Sequence, residues 1–323
     1  MNKKSIIISV VFVLVLILAL GAFESVRPQQ EDDGIFYFHQ FEDFGGEKIT
    51  LTSKPKRVAV LFSSLADVWT LSGGETLITV GESVERGICN DDVLLVDSGA
   101  GKTIDTEKLL SYEPNFVIYS LDVEAQVKTA ELLKKSKIPA AGMRLDSIED
   151  YMKALTICTS VLDNEDALKK YGTDVLEQIE NIKMKSVSSS YMPTVLFIRS
   201  GSTESSAKAK KADDNFAAKI LEDLGCINIA DQAEILLESL SIEEILLRDP
   251  DHIFISIMGD EWTGKAYMES LLLSDSWKEL SAVKNGNVHY LPKDLFHYKP
   301  CQRWAESYKY IYEILYQGDD FEK

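Results

Sequence analysis

One stretch occurs twice in the sequence, and that repetition limits what the chain can fold into. It runs from Ile104 to Ser120 and again from Leu240 to Ser256. Glu107 aligns with Glu243, Pro114 with Pro250 and Ser120 with Ser256, all at one offset (243 − 107 = 136). Each copy predicts the same local structure. A short amphipathic helix turns Leu109 and Leu110, or Ile245 and Leu246, inward and carries its glutamate at the N-terminal end, where the helix dipole favours an acid. The proline stops the helix. A buried apolar strand follows, Phe116 to Tyr119 or Ile253 to Ile255. A period this long is not that of a solenoid, whose units are far shorter. It predicts two α/β lobes of similar design.

The 323 residues suffice for two domains of ordinary size. The net charge of −18 argues against a general nucleic-acid binder, and no basic block follows the N-terminus. Cys89, Cys158, Cys226 and Cys301 show no CxxC spacing, so they are expected as isolated thiols rather than a zinc or redox motif, with a disulfide left open.

Lys3 and Lys4 precede a nearly unbroken apolar run from Ile6 to Phe23, a basic region followed by a hydrophobic one. Residues 1–23 are therefore a signal peptide or an N-terminal membrane anchor. Both readings place the rest of the chain outside the membrane, secreted or tethered at its surface. Residues 24–47 form a tether and an edge hairpin that turns at Gly45-Gly46. Strands and helices then alternate through a lobe at 48–163. The run from Glu165 to Lys185 has helical spacing over roughly 30 Å and predicts a connecting helix within 164–190. A second lobe at 191–323 repeats the plan. The fold class is α/β, two Rossmann-like lobes with mostly parallel sheets joined by a single long α-helix.

Ser98 to Thr103 imitates a phosphate loop, but Val96 stands where that motif needs glycine. No nucleophile elbow, carboxylate pair or catalytic triad is recognisable, so no enzyme activity is expected. His252 and His289 lie in apolar strands and read as core residues. His297 lies between Phe296 and Tyr298 in a loop after a strand, where ligands of parallel sheets bind. Arg86, Arg144 and Arg199 follow strands, with Lys208, Lys210 and Lys211 in the loop after Arg199. In so acidic a chain this placement suggests an anionic ligand between lobes, because guanidinium binds carboxylate well; surface salt bridging is the competing reading.

These residues resemble class III substrate-binding proteins of bacterial ABC importers, which take up ferric siderophores, haem or cobalamin. The resemblance is carried by Pro55-Lys56-Arg57-Val58, Glu107 to Ile118, Asn228-Ile229-Ala230-Asp231 and Leu240 to Phe254. Further carriers are Trp277 with Leu280 to Gly286, and Lys299-Pro300 with Arg303-Trp304. It implies two lobes joined by one long helix and ligand capture in the cleft. It also implies one glutamate per lobe docking onto arginines of the permease, here Glu107 and Glu243, with Glu244 as a substitute. The sequence departs from the family at Gly21-Ala22-Phe23, where a lipoprotein cysteine is usual.

The expected function is an extracytoplasmic, monomeric solute-binding protein that delivers an iron complex to the transmembrane subunits of an ABC permease. It needs no cofactor; its cargo would be a ferric siderophore or haem. Trp69, Arg86, Tyr119, Arg144, Arg199, Met258, His297 and Tyr298 are the expected cleft wall, with aromatic faces packing the organic part. For haem, Met258, His297 or Tyr298 would ligate iron. The rivals are an extracellular hydrolase-like enzyme and a binding protein for cobalamin or a bare metal ion.

Overall fold

Runs of β-branched and other apolar residues bounded by glycine, proline and short helices produce two separate five-stranded sheets in the computed structural model, which describes residues 38–97, 103–189 and 191–316. The N-terminal signal or anchor segment, most of the tether and residues 98–102 of the phosphate-loop imitation lie outside the described residues. The chain divides into two units, residues 1–145 with 149–169, and residues 146–148 with 170–323.

The first unit opens with an antiparallel hairpin, β1 (His39–Glu42) and β2 (Lys48–Leu51), in which His39 lies opposite Leu51. Buried Asp43 organises it. Its carboxylate accepts from the backbone N–H groups of Gly45 (2.8 Å) and Glu47 (2.9 Å), and from Gly142 (2.8 Å). The sheet consists of β3 (Val58–Val60), β4 (Ile78–Thr79), β5 (Leu94–Leu95), β6 (Phe116–Ser120) and β7 (Ala140–Met143). All are parallel, in the order β5-β4-β3-β6-β7. Helices cover both faces, so the central strands are apolar without alternation; β6 is buried at every position. The order reverses between β3 and β6. At such a reversal the loops leaving the carboxyl ends part and open a crevice.

The second unit repeats this with β8 (Thr194–Ser200), β9 (Lys208–Ala209), β10 (Ile227–Asn228), β11 (His252–Ile257) and β12 (Val288–Tyr290). β10, β8, β11 and β12 are parallel in that order. β9 is the exception. It pairs antiparallel with the carboxyl half of β8, on the edge that β10 occupies lower down. Here the reversal lies between β8 and β11. The two copies of the repeated stretch occupy matching places: the helix Thr106–Ser111 leads into β6, which lies beside β3, and the helix Ile242–Arg248 leads into β11, which lies beside β8.

The connecting helix runs over Glu165–Ser188 and carries one wide π turn within it. The helix Ile148–Leu162 ends at Asp163, which takes a left-handed φ of 56°. Asn164 then caps Glu165–Leu168, a wide π turn follows at Lys169–Thr173, and regular helix resumes over Asp174–Ser188. The unit boundary falls at this wide turn, between Lys169 and Lys170. Beyond it the helix packs on the C-terminal helix Trp304–Tyr316 of the second unit.

Candidate functional site

In the first unit the crevice is braced by Gln126. Fully buried, its side chain accepts from the Ser120 N–H (2.8 Å) at the end of β6 and donates to the Leu61 carbonyl (2.6 Å) just past β3. Ser63 and Ser64 begin the helix after β3, and no side chain caps it. Instead their hydroxyls accept from the Arg86 guanidinium at 2.8 and 3.0 Å, while Ser63 donates to Glu82. Arg86 is thus brought to the carboxyl edge by the helix Gly81–Glu85. Arg144, just past β7, pairs with Asp122 just past β6 at 3.2 Å, both side chains well exposed. That exposed pair contributes little stability.

In the second unit Arg199 lies in β8, one residue from its end, and is half-buried. Its register partner across the antiparallel β8–β9 pair is Lys208, half-buried as well. Directly opposed residues share a sheet face, and like charges in that relation repel. Neither cation forms an ion pair among the described residues. Burial pushes the Arg199 guanidinium below its ordinary value. The sequence predicts Lys208 in a loop; strand pairing instead sets it opposite Arg199.

Around the same edge, Met258 follows β11 and donates its N–H to the Ser200 carbonyl (2.8 Å). Lys293 donates to the Gly259 carbonyl (3.0 Å), and its Nζ lies 5.4 Å from the Tyr298 ring centre. His297 ends the helix Lys293–Phe296, its ring edge-on to Tyr298 at 5.2 Å. Met258, Lys293, His297 and Tyr298 therefore gather beyond the ends of β11 and β12. Sequence reasoning missed Lys293, and it missed Trp262. That side chain is 82% exposed in the first turn of the helix Glu261–Leu272. An exposed tryptophan is unusual, but nothing in its sequence neighbourhood separates it from a core tryptophan.

Two expected wall residues are corrected. Trp69 is a core residue, 1% exposed, edge-on to Phe116 with its indole N–H donated to the Glu75 carbonyl (3.1 Å). A Cβ on Gly74 would come within 2.2 Å of the indole, so the ring is closed in from that side. Tyr119 points away from the carboxyl edge, into the sheet face under the helix Glu124–Lys135.

The histidines in strands are a stacked pair. His252 is buried and His289 half-buried; their Nδ1 and Nε2 atoms are 3.1 Å apart. Burial pushes both below the ordinary imidazole range, His289 to about 4 with His252 adding to the effect. All four cysteines are free, and burial raises Cys158 and Cys226 to about 12. Among the described residues no group of three or more His, Cys, Asp or Glu side chains is arranged to hold a metal ion, and no helix is long and apolar enough to cross a membrane.

The profile of the family described as "Periplasmic binding protein" matches residues 58–295, from β3 to the helix after β12. The chain belongs to the periplasmic binding protein family. Within it, this is a class III substrate-binding protein of ABC importers, a family of binding proteins rather than enzymes. "Putative ABC transporter substrate-binding lipoprotein YhfQ" of Bacillus subtilis (strain 168) is 25% identical over 90% of this chain and 91% of its own length. "Fe(3+)-citrate-binding protein YfmC" of the same organism is 25% identical over 76% of each chain. Staphylococcus aureus SirA, whose structure was solved with staphyloferrin B, superposes with a TM-score of 0.62 at 21% identity, over 86% of this chain and 97% of that one.

In this periplasmic binding protein the two aligned glutamates are both exposed on the first turns of their helices. Asp105 caps the first helix, accepting from the Lys108 N–H (2.9 Å), which leaves Glu107 out of the cap. Among the described residues Glu243 accepts only from the neighbouring Ser241 hydroxyl, at 3.1 Å. Glu244 is already engaged, paired with Arg248 at 2.7 Å with both side chains 25% exposed.

Proposed function

We propose that this protein captures an anionic ferric complex, of the carboxylate or siderophore type, outside the cytoplasm and delivers it to an ABC permease. The observation that carries the reading is the pair of opposed cations Arg199 and Lys208 at the carboxyl end of β8. Two like charges held on one sheet face are relieved by an anion, and guanidinium takes carboxylate oxygens two at a time. Tyr298, Met258 and Trp262 offer apolar and aromatic surface to the organic part. Similarity to an Fe(3+)-citrate-binding protein supports the same chemistry. Export rests on the N-terminal basic and apolar segment, cleaved or retained. Glu107 and Glu243 are proposed as the docking groups, since both residues are exposed and neither is engaged by a cation among the described residues.

The test is a titration of the full chain with ferric citrate, a panel of ferric siderophores and hemin, followed by tryptophan fluorescence. Trp69, Trp277 and Trp304 are 1%, 4% and 2% exposed, so quenching by contact reports on Trp262. Saturable quenching by at least one complex, lost in Trp262→Phe, is expected. Failure of every complex to bind, checked by calorimetry, removes the iron assignment.

A further inference from the structure

The first unit contains a cavity that the carboxyl-edge residues do not touch. It measures about 440 Å³ and lies between β2, the helix Glu124–Lys135 and the segment entering β7. We propose that it is a second small-molecule site, for an amphipathic monoanion bearing a hydroxyl group opposite its carboxylate.

Three features of the cavity point to that chemistry. The first is Tyr119, which lines the cavity with 93% of its surface covered (7% exposed), yet whose hydroxyl has no hydrogen-bond partner among the described residues. Its oxygen is not among the buried polar atoms that lack a partner, so the hydroxyl keeps access to solvent and can meet a ligand oxygen in the cavity it lines. Burial and the nearby Asp43 and Glu47 carboxylates push its pKa up, so it offers a proton to a ligand oxygen and not a charge. The second is the wall: Ile49, Val127, Ile138 and Pro139 supply apolar surface for a flat or branched body. The third is the rim. Lys48, Lys134 and Lys137 face it with Glu47 and Glu131, three cations against two anions in a chain of net charge −18. Lys134 is paired with Glu47, its side chain 71% exposed, whereas Lys137 has no ion pair among the described residues. Asp43 does not compete for the rim lysines, because three backbone N–H groups satisfy its carboxylate. A carboxylate at the lysine rim, a ring along the apolar wall and a hydroxyl against Tyr119 would use all three features at once.

The experiment uses the full chain and 6-hydroxy-2-naphthoate as probe, with 2-naphthoate and 6-hydroxy-2-naphthamide as controls, by calorimetry. One-to-one saturable binding is expected. Removing the probe's hydroxyl or substituting Tyr119→Phe should raise Kd about threefold or more, as loss of one hydrogen bond does. Lys134→Gln with Lys137→Gln, or replacing the carboxylate by the amide, should raise Kd about fivefold or more. The lysines are on the surface, so their loss leaves the fold intact, and Tyr119→Phe is isosteric; thermal melts check both. Saturating ferric complex should not displace the probe, and the double lysine variant should bind ferric complex as the wild type does. Those two controls separate failure here from failure of the iron-complex reading. No saturable probe binding, binding indifferent to every variant, or competition with the ferric complex would each overturn the proposal.

Discussion

Arg199 carries a charge that its own strand does nothing to satisfy. Ile198 and Ala209, the neighbouring register pair, turn into the core on the opposite face, so Arg199 and Lys208 share the other face, with the β8–β9 pairing holding their backbones opposite each other. Opposed like charges destabilise a sheet by a few tenths of a kcal/mol to about 1 kcal/mol. Arg199→Gln should therefore leave the unliganded protein equally stable or slightly more so, measured by thermal melting. The same substitution should weaken an anionic ferric complex by about tenfold to a hundredfold, or roughly 1.4 to 2.8 kcal/mol. A structural arginine would behave in the opposite way, lowering stability while leaving affinity unchanged. Higher salt should narrow the difference between the two proteins, because the repulsion and the binding both involve partly exposed charge.

The repeated helix–strand element shows what was legible in the sequence. Proline at the same place in each copy, an apolar run after it and a glutamate at the helix start were enough to place both helices, both following strands and the two-lobed α/β class. Elements held by tertiary pairing alone were not legible. β9 is two residues, Lys208-Ala209, with no β-branched or aromatic character; it is a strand only because half the edge of β8 is open to it. The wide turn at Lys169–Thr173 interrupts an amphipathic pattern that continues across it, so periodicity passed over it. A tryptophan in a short helix after a strand fits a rim or a core equally well, so nothing local places Trp69 in the core; Gly74 makes room for its indole. The prediction at this scale concerns the two glutamates. Glu107→Arg with Glu243→Arg should abolish uptake of the iron complex in cells while affinity of the purified protein stays unchanged. Normal uptake by the double variant would remove these residues from the docking role. Glu244→Arg is expected to act differently, through loss of its pair with Arg248, as a drop in melting temperature.

Across the whole chain, acid should act unevenly on the two units. The second unit holds two histidines whose pKa is depressed, His252 and His289, and the first holds one, His39, lowered by burial. A histidine depressed in the folded state binds its proton more readily once unfolded. Its neutral form therefore supports folding fully above about pH 6.5, the ordinary imidazole value, and that support is lost as pH falls toward the folded value. For His289 the loss runs from about 6.5 down to about 4. The pair has a further cost, since the ring nitrogens 3.1 Å apart can share one proton but repel when both rings are charged. Asp251 offsets part of this for His252, and the Tyr191 hydroxyl, 3.4 Å from His252 Nε2, adds no charge. Hydrogen exchange, corrected for the intrinsic rate at each pH, should show protection falling more steeply between pH 6.5 and 4 in β11 and β12 than in β3 and β6. His289→Gln removes the group with the deeper shift and leaves His252 with an uncharged neighbour, so it should flatten the second unit's pH dependence and leave the first unit's unchanged. Equal slopes in the two units of the wild type, or an unaltered slope in the variant, would show that carboxylates rather than this imidazole pair govern acid stability.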